Sequence, residues 1–359
     1  MRFIGAEASL KIKALAASWR QSEGWALPVP AGKSAIFVDS GTSALVLAVQ
    51  LAARPVLLLP DFYCPTLTMR LQGLGADCLF YPVSEQLEPD WSWIASCRPG
   101  APKTLVLYHY YGVLQAVPPG IVEHQELKIV EDAAHALWTE GVGRSGAAIA
   151  YSFRKMLPVP DGGVLIVDDS WPAAPALPGA GFMPYMRAAY LAASVVERRW
   201  FPSFRGWLLR RGELVRAWET TGCAGGEIRA MSSMSRRLTG GVSASLVAAA
   251  RRAHYARYER LLPADSDCIR RLFPPLAPGT VPFAFPILVK KRDAVIARLL
   301  DSGVRARAIW SWLIAGGPAA QRLSEQILLL PVHEELRSDE VDWAAQAVDH
   351  AVRHCHGVT

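Results

Sequence analysis

Three short stretches in the first half of the chain carry side chains that can do chemistry together. The first is Ser40-Gly41-Thr42-Ser43-Ala44-Leu45, a glycine turn followed by hydroxyls that opens an apolar run. A helix starting there offers free backbone N–H groups and hydroxyl donors to a phosphate, although Ser and Thr also cap helices that hold no ligand. The second is Ile129-Val130-Glu131-Asp132-Ala133-Ala134-His135-Ala136, an acidic pair that ends an apolar run. A carboxylate held there can pair with a protonated ring nitrogen and keep that ring cationic, or it can simply cap the next helix. The third is Tyr151-Ser152-Phe153-Arg154-Lys155, which continues through apolar residues to Asp161-Gly162-Gly163. Desolvation and a neighbouring cation both lower a lysine pKa and make the amine nucleophilic, whereas the same lysine in isolation is an ordinary surface residue.

These stretches need elements that bring them together. Short β-branched or leucine-rich runs alternate with helical stretches along the first half. Strands are expected at Ala35–Val38, Val56–Leu59, Cys78–Tyr81, Thr104–His109, Lys128–Val130, Ala148–Phe153 and Gly163–Val167. Helices are expected at Ala44–Ala53, Pro65–Leu74 and around Ile121–Glu126. Such alternation argues for α/β layers around a mostly parallel sheet, whose ligands sit outside the carboxyl ends of the strands. The last third reads as a small α+β unit. A long helix runs from Ser243 to Leu262 with Ser243 as N-cap, and a strand covers Val281–Val289. A helix follows at Arg292–Leu300, then a strand at Ile327–Leu330 and a helix at Ser338–Val352 with Ser338 as its cap. The expected organisation is a large domain over 1–240 and a small C-terminal domain over 241–359, with an Arg-, Trp- and Pro-rich insertion at about 169–227.

Taken in order, phosphate cradle, strand-end Asp, Lys and Gly-Gly resemble the DegT-type sugar aminotransferase family, which has the aspartate aminotransferase fold, or fold type I. Ser40-Gly41-Thr42-Ser43-Ala44-Leu45 resembles the family's SGTxAL, and Leu59-Pro60-Asp61-Phe62-Tyr63 sits where the family has VPSxT. Tyr108-His109-Tyr110-Tyr111-Gly112 resembles VHLYG, and Glu131-Asp132-Ala133-Ala134-His135-Ala136 resembles EDAAQA. Lys155 precedes Gly162-Gly163 by the family's spacing, and Leu330-Pro331-Val332-His333 resembles LPLHP. The resemblance implies pyridoxal 5′-phosphate held as a Schiff base on Lys155, which also shuttles the α-proton. It implies Asp132 at the pyridine nitrogen and His135 near the phenolic oxygen. Gly41, Thr42, Ser43 and Ser152 are implied at the phosphate, with Phe62 or Tyr63 against the ring. It further implies a homodimer that takes an amino group from an amino acid, glutamate being the expected donor, and passes it to a nucleotide-linked keto-sugar. Relatives with His in place of the lysine are dehydratases; Lys155 favours transamination.

The chain departs from the family at four places. Ser152 and Lys155 are three residues apart where the family has five. Cys64 stands where an aromatic usually stacks on the cofactor. Glu227-Ile228-Arg229-Ala230-Met231-Ser232 replaces a segment whose Asn reaches the neighbouring subunit, leaving Ser232 or Ser233 for that role. Ala308-Ile309-Trp310-Ser311-Trp312 replaces the substrate-binding HYPxPLH. Two other readings follow: a fold type I enzyme acting on a non-sugar carbonyl, and a cofactor-binding regulatory protein with little turnover.

Composition bounds the rest. In 359 residues, 51% hydrophobic and 19% charged, the chain can bury two cores and is not of disordered type. The net charge of +6 comes without a helix-turn-helix, zinc-finger spacing or aromatic-basic repeat, so no nucleic-acid partner is expected. Six cysteines without a Cys-x-x-Cys pair suggest free thiols in a reducing cytoplasm. His354, Cys355 and His356 read as a frayed tail rather than a metal site. The N-terminus lacks a signal-peptide pattern, and no apolar stretch is long enough to span a bilayer. Seven Arg and two Glu between Arg187 and Arg216, with Trp200, Phe201 and Trp207, read as a solvated basic face, a lid over an anionic substrate, or a peripheral membrane contact.

Overall fold

The computed structural model describes residues 4, 27, 29–122, 125–189 and 226–356. Of the expected insertion at about 169–227, residues 190–225, which hold nearly all of the basic segment from Arg187 to Arg216 with Trp200, Phe201 and Trp207, lie outside the described residues.

In chain order the elements are β1 (Lys33–Val38), α1 (Gly41–Ala52), β2 (Val56–Pro60), α2 (Pro65–Gln72), β3 (Asp77–Tyr81), α3 (Trp91–Ser96), β4 (Lys103–Tyr108), α4 (Pro119–Val122), β5 (Leu127–Asp132), β6 (Ala148–Ser152), α5 (Phe153–Met156) and β7 (Gly163–Asp168). After the undescribed segment come α6 (Ser233–Gly240), α7 (Ala244–Leu261), β8 (Ile269–Arg271), β9 (Ala284–Val289), α8 (Arg292–Asp301), α9 (Pro318–Gln326), β10 (Ile327–Pro331) and α10 (Ser338–His356).

Seven strands form one sheet in the order β1-β7-β6-β5-β4-β2-β3. Pairs from β3 through β6 are parallel, while β7 runs antiparallel to both β6 and β1. Central strands such as VLLLP and KTLVLY are buried along their whole length, as a sheet covered on both faces requires. The apolar helix α1 lies against β5, β6 and β7, with nine of its residues buried. A second, antiparallel sheet, β10-β9-β8, packs with α7, α8 and α10 around its own core of Tyr258, Phe285, Leu299 and Val348. This is the expected mostly parallel α/β sheet followed by a small α+β unit.

Buried and half-buried polar contacts tie the two sheets together. Asp61, one residue past β2, accepts from Gly317 N at 2.9 Å, at the start of α9. Glu85 accepts from Arg270 of β8 at 2.7 Å and from Arg322 of α9 at 2.6 Å.

Some local expectations need correction. Ser338 is not the cap of α10: Arg337 holds that position, and Glu340 Oε2 reaches back to its N–H at 2.9 Å, as in a capping box. Ser243 occupies the cap position of α7, but its hydroxyl makes no capping bond and lies 3.2 Å from Ser245 Oγ. Near Ile121, Pro119–Val122 is helical, residues 123–124 lie outside the described residues, and Gln125 and Glu126 form a turn. His354 and Cys355 are not frayed; they belong to α10, where Arg298 meets His354 Nε2 at 2.6 Å. No helix among the described residues is long and apolar enough to cross a membrane.

Candidate active site

The candidate residues gather where the parallel strands end. Helix α1 begins one residue after Ser40, whose hydroxyl accepts from Ser43 N at 3.1 Å. Gly41 is required by close approach: a Cβ there would lie 2.5 Å from Ser152 Cβ, at the end of β6. Gly163 has the same constraint from below, since its Cβ would meet the Ser40 carbonyl at 2.6 Å. Ser152 therefore stays packed against the first turn of α1 despite its short spacing to Lys155. Gly41 and Thr42 are part-exposed, and the first-turn N–H groups of a 12-residue helix form an anion-favouring end. Ser43 turns inward, 3.0 Å from Ser40 Oγ and buried, so its side chain serves the helix start. Beside it, burial holds the Asp39 carboxyl above its ordinary range. The Ser43 hydroxyl and the charges of Arg70 and Arg154 oppose that rise.

Lys155 owes its position to the single turn α5. Phe153 and Met156, three residues apart, are both buried and pin one side of the turn. Lys155 is exposed beside them. Arg251, itself buried on α7, donates to the Met156 carbonyl at 3.2 Å and to the Phe283 carbonyl at 3.2 Å. It also pairs with Glu334 at 3.3 Å. Lys155 lies close enough to Asp132 and His135 to act electrostatically on both.

Asp132 ends β5 directly opposite Tyr108 on β4. Its Oδ1 accepts from Ala134 N at 3.0 Å, and its Oδ2 accepts from the Tyr63 hydroxyl. Burial raises the Asp132 pKa, while these hydrogen bonds and the charge of Lys155 pull it down. Burial and the Asp132 charge push the Tyr63 phenol far up, so Tyr63 keeps its proton and donates. His135 is fully buried. Its Nδ1 lies 2.6 Å from the Tyr108 hydroxyl, and its Nε2 has no hydrogen-bond partner among the described residues. Burial, with Lys155 and Arg307 nearby, drives its pKa well below the usual value, so the ring is neutral.

Aromatic rings fill the remaining wall. Phe62 is fully buried, stacks with Tyr110 at 6.0 Å, and accepts the Tyr110 hydroxyl at its carbonyl at 2.6 Å. Trp310 lies edge-on to Phe62 at 5.0 Å, tilted to Tyr108 at 5.4 Å, and parallel to His135 at 6.4 Å. Its backbone is left-handed (φ 49°), uncommon for a bulky residue, and the Ser324 hydroxyl holds its carbonyl at 2.9 Å. Cys64 only packs at the cluster's edge.

Of the residues read from sequence, Gly41, Thr42 and Ser152 lie together at the head of α1, and Asp132, His135 and Lys155 gather at the ends of β5 and β6. Tyr63 joins this second group through Asp132. Ser43 and Phe62 are engaged elsewhere. Ser232, considered for a cross-subunit role, is buried and committed: its hydroxyl caps α6 and donates to Asp161 Oδ1 at 2.5 Å. Ser233 is exposed. Sequence reading passed over Tyr108, Arg251 and Arg307. Tyr108 is read only as part of the VHLYG-like motif, without a role of its own, and Arg251 and Arg307 carry no local pattern that marks them.

The set fits a phosphorylated pyridine cofactor. A buried carboxylate stands ready for a ring nitrogen, an amine lies near it, a helix start faces the phosphate side, and one buried imidazole nitrogen lacks a partner.

Comparison with known proteins agrees. No curated protein sequence matches the chain. Among solved structures, the aminotransferase TlmJ from Streptoalloteichus hindustanus superposes with a TM-score of 0.64 at 20% identity, covering 96% of both chains. Helicobacter pylori PseC, an aminotransferase of pseudoaminic acid biosynthesis, superposes at 0.67 with 15% identity, over 99% of this chain and 100% of that one. 3-Amino-5-hydroxybenzoic acid synthase does so at 0.63 with 17% identity, over 89% and 86%. At these identities the likeness is one of fold. Residues 31–176, which hold the first turn of α1, Asp132 and Lys155, match the sequence profile of the DegT/DnrJ/EryC1/StrS aminotransferase family.

Proposed function

We propose that the protein is a pyridoxal 5′-phosphate-dependent aminotransferase that moves an amino group from an amino acid, glutamate in the first instance, to a keto-sugar carried on a nucleotide. The observation that carries this reading is the placement of Lys155 within electrostatic reach of buried Asp132 and His135, beside the glycine-tight head of α1. The bound cofactor would supply an electron sink for the carbanion formed at the amino-bearing carbon. Asp132 would hold the ring nitrogen protonated, and Tyr63 would steady that carboxylate. The α1 N–H groups, Thr42 and Ser152 would hold the phosphate. Lys155 would anchor the cofactor and carry the proton from the amino acid's α-carbon to the cofactor's carbonyl carbon, as general base and then general acid. The surrounding buried rings would exclude water. The proposed working form is a homodimer, with 1–240 as the cofactor-binding domain and 241–359 as the small domain.

One observation favours a second reading of the acceptor. The wall around Trp310 is aromatic, with exposed Trp312 beside it, which suits a flatter or less hydroxylated carbonyl compound than a hexose. A panel of nucleotide-linked keto-sugars and cyclic ketones separates the two by kcat/KM.

The test is a visible absorption titration with pyridoxal phosphate, for wild type and Lys155→Ala, before and after glutamate. The expected result is a band that requires Lys155 and disappears as glutamate gives up its amino group. A band that ignores glutamate and other amino acids would favour a regulatory protein over an enzyme.

A further inference from the structure

The pair Tyr108–His135 does not balance its protons. The Tyr108 hydroxyl carries one, because burial and the nearby Asp132 charge push its pKa far above the usual phenol range. The neutral imidazole carries another. Between them the structure provides one hydrogen bond, Oη to Nδ1 at 2.6 Å, and Nε2 has no partner among the described residues. Both side chains are buried, His135 completely. In either arrangement one buried donor proton lacks an acceptor, which native interiors avoid.

The choice between arrangements follows from donor and acceptor strength. A phenol is a better donor than an imidazole N–H, and an imidazole lone pair is a better acceptor than a phenolic oxygen. Tyr108 therefore donates to Nδ1, and the proton left over sits on Nε2. The ring cannot turn to hide it: Phe283 stacks on one side at 4.0 Å and 6°, with Tyr111 at 5.6 Å and 23°. The carbonyl of Phe283 is in turn fixed by Arg251 at 3.2 Å.

We propose that Tyr108 is a positioning residue that locks His135 in its Nε2–H tautomer, so that the imidazole presents a fixed donor to an aryl-oxide oxygen of the bound ligand. This rests on the reading of the pocket as a pyridoxal phosphate site, whose ring hydroxyl is an oxygen of that kind. In this assignment Tyr108 acts through His135, the side chain that its hydroxyl meets. A phenol donating into one side of the ring also strengthens the donor on the other, since linked hydrogen bonds polarise one another.

Two measurements test this together. Protein labelled with 15N-histidine is examined by long-range 1H–15N correlation, with His135→Gln to assign the signal. Wild type is expected to show His135 Nδ1 as an unprotonated, hydrogen-bonded nitrogen and Nε2 as a protonated one. Tyr108→Phe is expected to lose that fixed pattern and exchange between tautomers, while far-UV circular dichroism and melting stay close to wild type. Pyridoxal phosphate affinity is read in parallel by absorption. Tyr108→Phe is expected to weaken it about fivefold, the scale of one hydrogen bond, and to have no further effect in a His135→Gln background. A proton found on Nδ1 in wild type, or equal affinities for wild type and Tyr108→Phe, overturns the tautomer lock even if pyridoxal phosphate binds. Wild type that shows the expected tautomer but binds no pyridoxal phosphate overturns the cofactor reading instead, and with it the ligand assigned to Nε2. If Tyr108→Phe fails to fold, Tyr108→Trp, whose indole N–H can still donate, replaces it, and retention of the wild-type tautomer supports the lock.

Discussion

Glu131 and Asp132 are consecutive residues on β5, and each is grouped with a fully buried histidine. Glu131 accepts from Gly143 N at 2.6 Å, Ser145 N at 3.0 Å and His109 Nε2 at 2.9 Å. His109 is complete as well: its Nδ1 accepts from Gln115 N at 3.1 Å, so the ring proton sits on Nε2, facing Glu131. On the other face, Asp132 has two donors, Tyr63 and Ala134, and His135 has an unmatched nitrogen. The two acids accordingly shift in opposite directions. Hydrogen bonds and the neighbouring imidazole overcome burial and lower the Glu131 pKa, whereas burial prevails and raises that of Asp132. One region has closed all its hydrogen bonds within the protein and serves as scaffold. The other is left one acceptor short, which marks it for a ligand.

The contrast can be broken most directly by removing each acid. Glu131→Ala strips the acceptor from the buried His109 and two part-buried N–H groups and is expected to cost about 3–5 kcal/mol, read by urea unfolding. Asp132→Asn keeps the Oδ1 acceptor for Ala134, and its new amide NH2 can donate to the Tyr63 hydroxyl, whose proton must then turn elsewhere. It is expected to change stability by less than about 1 kcal/mol while lowering amino transfer at least ~10²-fold, the scale of removing a group that stabilises charge in the reaction. Equal destabilisation by the two would mean that Asp132 is scaffold too.

Arg251→Met leaves the Met156, Pro282 and Phe283 carbonyls and Glu334 without their buried cation. The expected cost is about 2–3 kcal/mol, with weaker pyridoxal phosphate binding because the Lys155 turn loses its anchor. Gly41→Ala drives a methyl into Ser152 and is expected to cost about 1–3 kcal/mol, along with phosphate-dependent affinity. Pyridoxal, which lacks the phosphate, should bind both forms alike.

The pH dependence sharpens the comparison by its sign. The Glu131 pKa lies below its ordinary 4.5, so the stability that it confers is present above pH 4.5 and is lost as pH falls through the folded value. The Asp132 pKa lies above its ordinary 3.8, so the folded state binds the extra proton, and stability declines as pH rises from 3.8 through the folded value. Unfolding between about pH 3 and pH 7 should show Glu131→Gln with a flattened acid limb. The stability difference between Asp132→Asn and wild type should move in favour of the variant as pH rises. The same slope change for both variants would contradict the assignment of scaffold and site.

Much of this was legible in the sequence. Apolar runs such as VLLLP and KTLVLY, each bounded by turn residues, mark central strands whatever surrounds them. The α/β pattern put the SGTS turn, Asp132 and Lys155 at or just past strand ends, and the structure has Asp132 at the end of β5, Lys155 just past β6 and Gly41 at the head of α1. Short elements escaped notice: α3 is six residues, β8 is three, and α9 follows a Gly-Gly-Pro that reads as loop. Tertiary contact rather than periodicity supports such pieces. Side-chain partnerships escaped for a related reason. Tyr63 reaches Asp132 across 69 residues, and Tyr108 reaches His135 across 27, so neither pairing leaves a local pattern. The engagement of Ser43 and Ser232 in helix starts was likewise invisible, since a serine before a helix reads the same whether it binds a ligand or caps.

The central claim is that Lys155 carries the cofactor. Pyridoxal phosphate is added to the full chain, the mixture is reduced with borohydride, and the protein is digested and mapped by mass spectrometry. The expected result is a phosphopyridoxyl group on Lys155 at one per chain, absent when reduction precedes the cofactor. Stoichiometric labelling of another lysine, or none at all, would contradict it.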